Sequence, residues 1–132
     1  MACSGIVTAG LAVAGRQVSP TVLKTSVESW NGSAWTEVGD VNTARYAAYG
    51  SKVDYSNMFA SGGYSTTVLD ITEVWNGSSW TETTDMNTAR QTGGSAGTQA
   101  TGLIFGGSTG SITGVTEEWS GSSVLTKSVD TD

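Results

Sequence analysis

Residues 30–45 read WNGSAWTEVGDVNTAR, and residues 75–90 read WNGSSWTETTDMNTAR. Twelve of these sixteen positions are identical, and the two stretches begin 45 residues apart. A third, degenerate copy, WSGSSVLTKSVDTD, opens at Trp119. Upstream of each copy lies a second shared block: GLAVAG at 10–15, NMFASGG at 57–63 and GLIFGG at 102–107. Each block is followed by a polar stretch and then by SVESW, ITEVW or VTEEW. The same order of signals three times over marks a repeat architecture, in which each unit buries its faces against its neighbours.

The middle copy shows what one unit is. RYAAYGSKVD, Arg45 to Asp54, reads as a strand of small residues, and SNMFASGG, Ser56 to Gly63, as a second strand ending in a glycine doublet. DITEVW, Asp70 to Trp75, alternates apolar and polar residues, the period of a half-buried strand. Asn76-Gly77 is a hairpin signal, because it supplies the positive φ of tight turns. SWTET, Ser79 to Thr83, is the fourth strand, and DMNTAR, Asp85 to Arg90, the connector. Four short antiparallel strands at this period describe a propeller blade. The expected fold is all-β: three four-stranded blades at 1–44, 45–89 and 90–132, forming one continuous domain.

Composition agrees. Eighteen glycines, one proline and 14% charged residues suit short strands and many turns rather than a helical bundle. Five Trp, four Tyr and two Phe at regular places argue against disorder. A net charge of −6 opposes binding to phosphate backbones and anionic membranes, so neither nucleic acid nor membrane is an expected partner. Gly5 to Gly15, GIVTAGLAVAG, is short for a bilayer span and lacks the basic flank of a signal peptide; it reads as a strand in register with the later repeats. Cys3 is the single cysteine and histidine is absent, which removes a disulfide, a Cys cluster and the commonest general base and zinc ligand. No cofactor, metal or catalytic residue is expected.

These residues resemble the kelch family, whose pattern runs from a small-residue inner strand through an apolar strand ending in Gly-Gly to aromatics in the third and fourth strands. Gly62-Gly63, Trp75 and Trp80 fill those places in the middle unit, and Gly106-Gly107 and Trp119 in the third. The first unit carries Ala14-Gly15 with Trp30 and Trp35. Departures are Trp where kelch repeats carry Tyr, a shorter last hairpin, and Val124 in place of the second Trp of the third unit. The Trp-Asn-Gly-Ser style, followed by Asn-Thr-Ala-Arg, is similar to kelch-like repeats in marine bacterial and phage proteins associated with fibres or virions. That resemblance implies a virion or extracellular surface setting; a cytoplasmic scaffold is the alternative.

Known enzymatic uses of the fold do not transfer to these residues. A copper oxidase of galactose oxidase type needs His. A sialidase type needs an arginine triad, whereas Arg45 and Arg90 are repeat-equivalent and read as structural, pairing with Asp40 and Asp85 or with strand-end carbonyls. Glu37 and Glu82 read as a solvated strand face, and a calcium site lacks its ligand loop. Asn31-Gly-Ser33 and Asn76-Gly-Ser78 match glycosylation sequons but coincide with the hairpin turns. The glycine doublets lack the helix and Lys of a phosphate loop. The paired Trp residues are expected to pack between blades, with carbohydrate stacking as the second reading.

What varies between repeats is the stretch between the second and third strands: RQVSPTVLKT, YSTTVLD and STGSITG. Variable loops on a rigid scaffold are where recognition resides. The binding candidates are therefore Arg16, Gln17, Tyr64, Ser65, Ser108 and Thr109. The expected function is a non-enzymatic structural or adhesion module, with host glycan or other virion proteins as partners. A carbohydrate-active hydrolase or a lectin using the central channel is the alternative. Three wedges leave a ring open, so a homodimer closing six blades head to tail is expected.

Overall fold

In the computed structural model, residues 1–51 and 55–120 are described, together with the backbone of 124–128. They form twelve strands: β1 (Ala2–Ile6), β2 (Ala9–Val18), β3 (Thr21–Trp30), β4 (Trp35–Val38), β5 (Tyr49–Gly50), β6 (Phe59–Ser61), β7 (Thr72–Trp75), β8 (Trp80–Glu82), β9 (Gly94–Gly97), β10 (Gly102–Phe105), β11 (Val115–Trp119) and β12 (Val124–Ser128). They make three antiparallel four-stranded meanders, β1 to β4, β5 to β8 and β9 to β12. The first strand of each sheet lies next to the first strand of the following sheet.

The sheets stack face on face. Leu11, Val13, Val27 and Val41 of the first repeat pack against Met58, Ala60, Trp75 and Trp80 of the second. Phe59 and Met86 of the second pack against Ile104 of the third. Because the middle sheet is covered on both sides, Thr72, Glu73 and Trp75 are all buried, where alternation predicts that only every second residue is.

Several elements differ from the sequence reading. GIVTAGLAVAG is a hairpin rather than one strand: β1 ends at Ile6, Val7-Thr8 turn, and β2 begins at Ala9. Gly5 allows this fold-back, since a Cβ there would sit 2.2 Å from the Ala9 carbonyl oxygen. The RQVSPTVLKT loop is largely strand, with Arg16 paired to Leu23 and Val18 to Thr21, as its β-branched content favours. The inner strand expected over 45–54 is reduced to Tyr49–Gly50, and Ala47, at a φ of 56°, separates it from the isolated bridge at Tyr46; residues 52–54 lie outside those described. The Val124 side chain and the third connector, 129–132, lie outside them too.

The Trp-Asn-Gly-Ser hairpins are four-residue loops, not two-residue turns. Asn31 Oδ1 accepts the Ser33 and Ala34 amides at 2.9 Å, and Asn76 Oδ1 those of Ser78 and Ser79 at 2.9 Å. The asparagine side chain thus takes the place of a backbone acceptor, and only the glycine adopts positive φ, 97° in both turns.

Candidate functional site

Arg45, Glu73, Arg90 and Glu117 are consumed by the scaffold. The Glu73 carboxylate is bound by Arg45 Nη2 at 3.1 Å, by the amide of Asn42 at 2.7 Å and by that of Thr43 at 3.3 Å. In the next repeat the Glu117 carboxylate takes the amides of Asn87 and Thr88, at 2.6 and 3.1 Å, and pairs with Arg90. Arg45 and Arg90 are 0% exposed. Their guanidinium groups also donate to the carbonyls of Ala60 and Val115. Burial lowers the Arg45 pKa from its ordinary value, and Glu73 opposes that shift.

This corrects the expected pairing with Asp40 and Asp85. Asp40 instead accepts from the Thr25 hydroxyl at 2.8 Å, and Asp85 from the Thr72 amide at 3.4 Å. The expected strand-end carbonyl contacts of the two arginines are present. The arginine backbone ties neighbouring sheets together: the Gly15 amide donates to the Arg45 carbonyl at 3.0 Å and the Gly63 amide to that of Arg90 at 2.9 Å. Gly62-Gly63 and Gly106-Gly107 all have positive φ, and a Cβ on Gly62 would lie 2.4 Å from the Arg90 carbonyl.

The aromatic pairs flank the hairpins. Trp30–Trp35 and Trp75–Trp80 each have ring centroids 5.4 Å apart. Trp75 and Trp80 are buried between the first two sheets, and Trp119 lies 6.3 Å from Phe59. Trp35 is 53% exposed.

The exposed chemistry gathers at the end of β2. The Arg16 guanidinium lies 4.6 Å above the Tyr46 ring, and that ring is 5.5 Å from Tyr64. Arg16, Gln17, Lys24, Ser26 and Tyr46 line an open cavity of about 540 Å³. Tyr64 is fixed by a pair of backbone hydrogen bonds with Tyr46, 3.0 and 2.9 Å. Ser108 occupies the same place in the third sheet, bonded to Gln91 at 3.0 and 2.8 Å, with Thr109 beside it. Ser65 turns back through its amide to the Thr67 carbonyl. Arg16 and Tyr64 therefore meet through Tyr46, whereas Ser108 and Thr109 belong to a separate bridge. Tyr46 and Lys24 were missed in the sequence; the signal was that Tyr46 and Gln91 differ at one repeat position. Cation–aromatic and aromatic pairs of this kind offer a flat apolar face beside hydrogen-bond donors. Among the described residues no cluster of three or more His, Cys, Asp or Glu is placed to hold a metal, and no helix is long and apolar enough to cross a membrane.

No family model matches the chain, and no curated protein matches it. Among solved structures it is similar to that of YjhT, at 13% identity with a TM-score of 0.74. The alignment covers 96% of this chain and 44% of that one, so the chain spans under half the length of the structure it matches.

Proposed function

We propose that the protein is a non-enzymatic binding module whose three sheets are blades of a kelch-like propeller and whose recognition surface is the Arg16–Tyr46–Tyr64 end. The observation that carries this reading is the division of charged groups. Arg45 and Arg90, which recur with the repeat, are locked in buried pairs with Glu73 and Glu117, while the non-repeating Arg16 stays exposed over an aromatic platform beside an open cavity. The fitting ligand is a glycan, with C–H faces that stack on Tyr and hydroxyl or carboxylate oxygens that accept from Arg16, Gln17 and Lys24. An extracellular or virion surface suits such a ligand; that setting rests on the family resemblance. The match to 44% of a larger structure supports a ring with blades beyond these three.

The test is a glycan array read with the intact protein and with residues 16–25 or 64–70 exchanged for Gly-Ser. Binding that is lost in both exchanges, and in Arg16→Ala, supports the reading. Binding that survives all three places recognition elsewhere. Turnover of a glycan would overturn the non-enzymatic class.

A further inference from the structure

Each sheet has one face built to the same plan. In the second, Ala60 lies opposite Glu73 and Trp75 stands two residues on; in the third, Ile104 lies opposite Glu117, with Trp119 two residues on. Both faces are covered by the preceding sheet, and both glutamates are gripped by the connector that leaves it, Asn42-Thr43 with Arg45, or Asn87-Thr88 with Arg90. In the first sheet Ala12 lies opposite Glu28 and Gly10 opposite Trp30, in the same register. Here the carboxylate is exposed and, among the described residues, nothing bonds it. Glu28, Trp30 and Trp35 line an open cavity of about 590 Å³ on this face.

From this repetition we infer that the Glu28–Trp30 face is a third joint of the same kind, made to receive a partner blade of this repeat whose connector ends in arginine. That connector would put two backbone amides and a guanidinium on Glu28, and the partner's outer apolar face would cover Ala12 and Trp30. A second copy of this chain presents Leu103 and Phe105, 37% and 43% exposed, on its outer sheet. In its third repeat, however, Asp130 and Asp132 stand where the second repeat has Met86 and Thr88, so that stretch would bring like charge to Glu28. Charge complementarity therefore selects an arginine-bearing partner over self-closure. The inference rests on reading the sheets as propeller blades.

The probe is a copy of the chain in which residues 129–132 are replaced by Asp-Met-Asn-Thr-Ala-Arg, the sequence of 85–90. Sedimentation equilibrium, with the emission shift of Trp30 and Trp35, reads its binding to the unmodified protein. The expected gain over self-association of the unmodified protein is roughly tenfold to a hundredfold, the worth of one or two hydrogen bonds to a charged group. Glu28→Gln in the unmodified partner should abolish that gain. A labelled peptide of residues 79–92 supplies the connector without a graft, and should bind the wild type and not Glu28→Gln. Self-association as tight as binding to the graft would overturn the inference in favour of a second copy. Tight association insensitive to Glu28→Gln would overturn the grip while leaving the blade reading intact. No association and no peptide binding would overturn both.

Discussion

Replacing Glu73 with Ala tests whether the carboxylate lock holds the stack together. The substitution removes the carboxylate paired with Arg45, which is fully buried and, among the described residues, would keep the Ala60 carbonyl at 3.2 Å as its hydrogen-bond acceptor. Breaking a buried pair from one side costs about 3–5 kcal/mol. It also strips the acceptor from the Asn42 and Thr43 amides. Against a total stability of about 5–15 kcal/mol, the loss is a large fraction. The double variant Arg45→Met with Glu73→Leu relieves the stranded charge but not the two amides, so it should recover part of the loss and remain about 1–3 kcal/mol below wild type. Urea unfolding followed by tryptophan fluorescence measures all three proteins, with Glu28→Ala as a control expected to leave the midpoint unchanged in dilute monomer. A Glu73→Ala loss below about 1 kcal/mol would refute the lock. So would a Glu28→Ala loss of equal size.

Other outcomes follow from single sites. Ala14 occupies the place of Gly62 and Gly106 with a φ of 54°, so Ala14→Gly should raise stability by up to about 1 kcal/mol, while Gly62→Ala should lower it because its Cβ meets the Arg90 carbonyl; thermal melts separate the two. Burial raises the Tyr49 pKa, with its hydroxyl donating to the Gln91 and Gly106 carbonyls. The folded protein therefore keeps this proton where the unfolded chain releases it, so stability is full below about pH 10 and falls above it. Tyr49→Phe should flatten that alkaline decline in urea midpoints measured against pH. Asn76→Ala opens the hairpin loop and should cost about 1 kcal/mol, with Asn31→Ala costing the same, since the two turns share one geometry.

The hairpins and glycine doublets were legible in sequence because their causes are local: Asn and Gly write a turn into four consecutive residues. The lock was not, because its halves lie 28 residues apart and the charge of one of them disguises it. In ITEVW, Glu73 shares a face with Ile71 and Trp75, yet a carboxylate by itself reads as a solvated residue. The stacking of a second sheet makes that position interior, and only then does a carboxylate need two amides and an arginine. Asp40 and Asp85, being near in sequence and opposite in charge, were the natural but wrong partners for the arginines. The Arg16–Tyr46–Tyr64 cluster was half visible: loop variation marked Arg16 and Tyr64, while Tyr46, which joins them, followed an arginine that drew the structural reading.

The grip on Glu73 reaches back to Asn42, so the functional length of a repeat is offset from its visible length. A unit cut at residue 45, where the fold class suggests a border, would leave Asn42 and Thr43 behind and carry off a glutamate without its amides. A unit cut ahead of Asn42 keeps the whole clasp. Duplication, deletion or grafting of repeats should therefore succeed in one reading frame and fail in another only three residues away. New arrays built from this chain, by recombination or by design, have to be spliced before the asparagine.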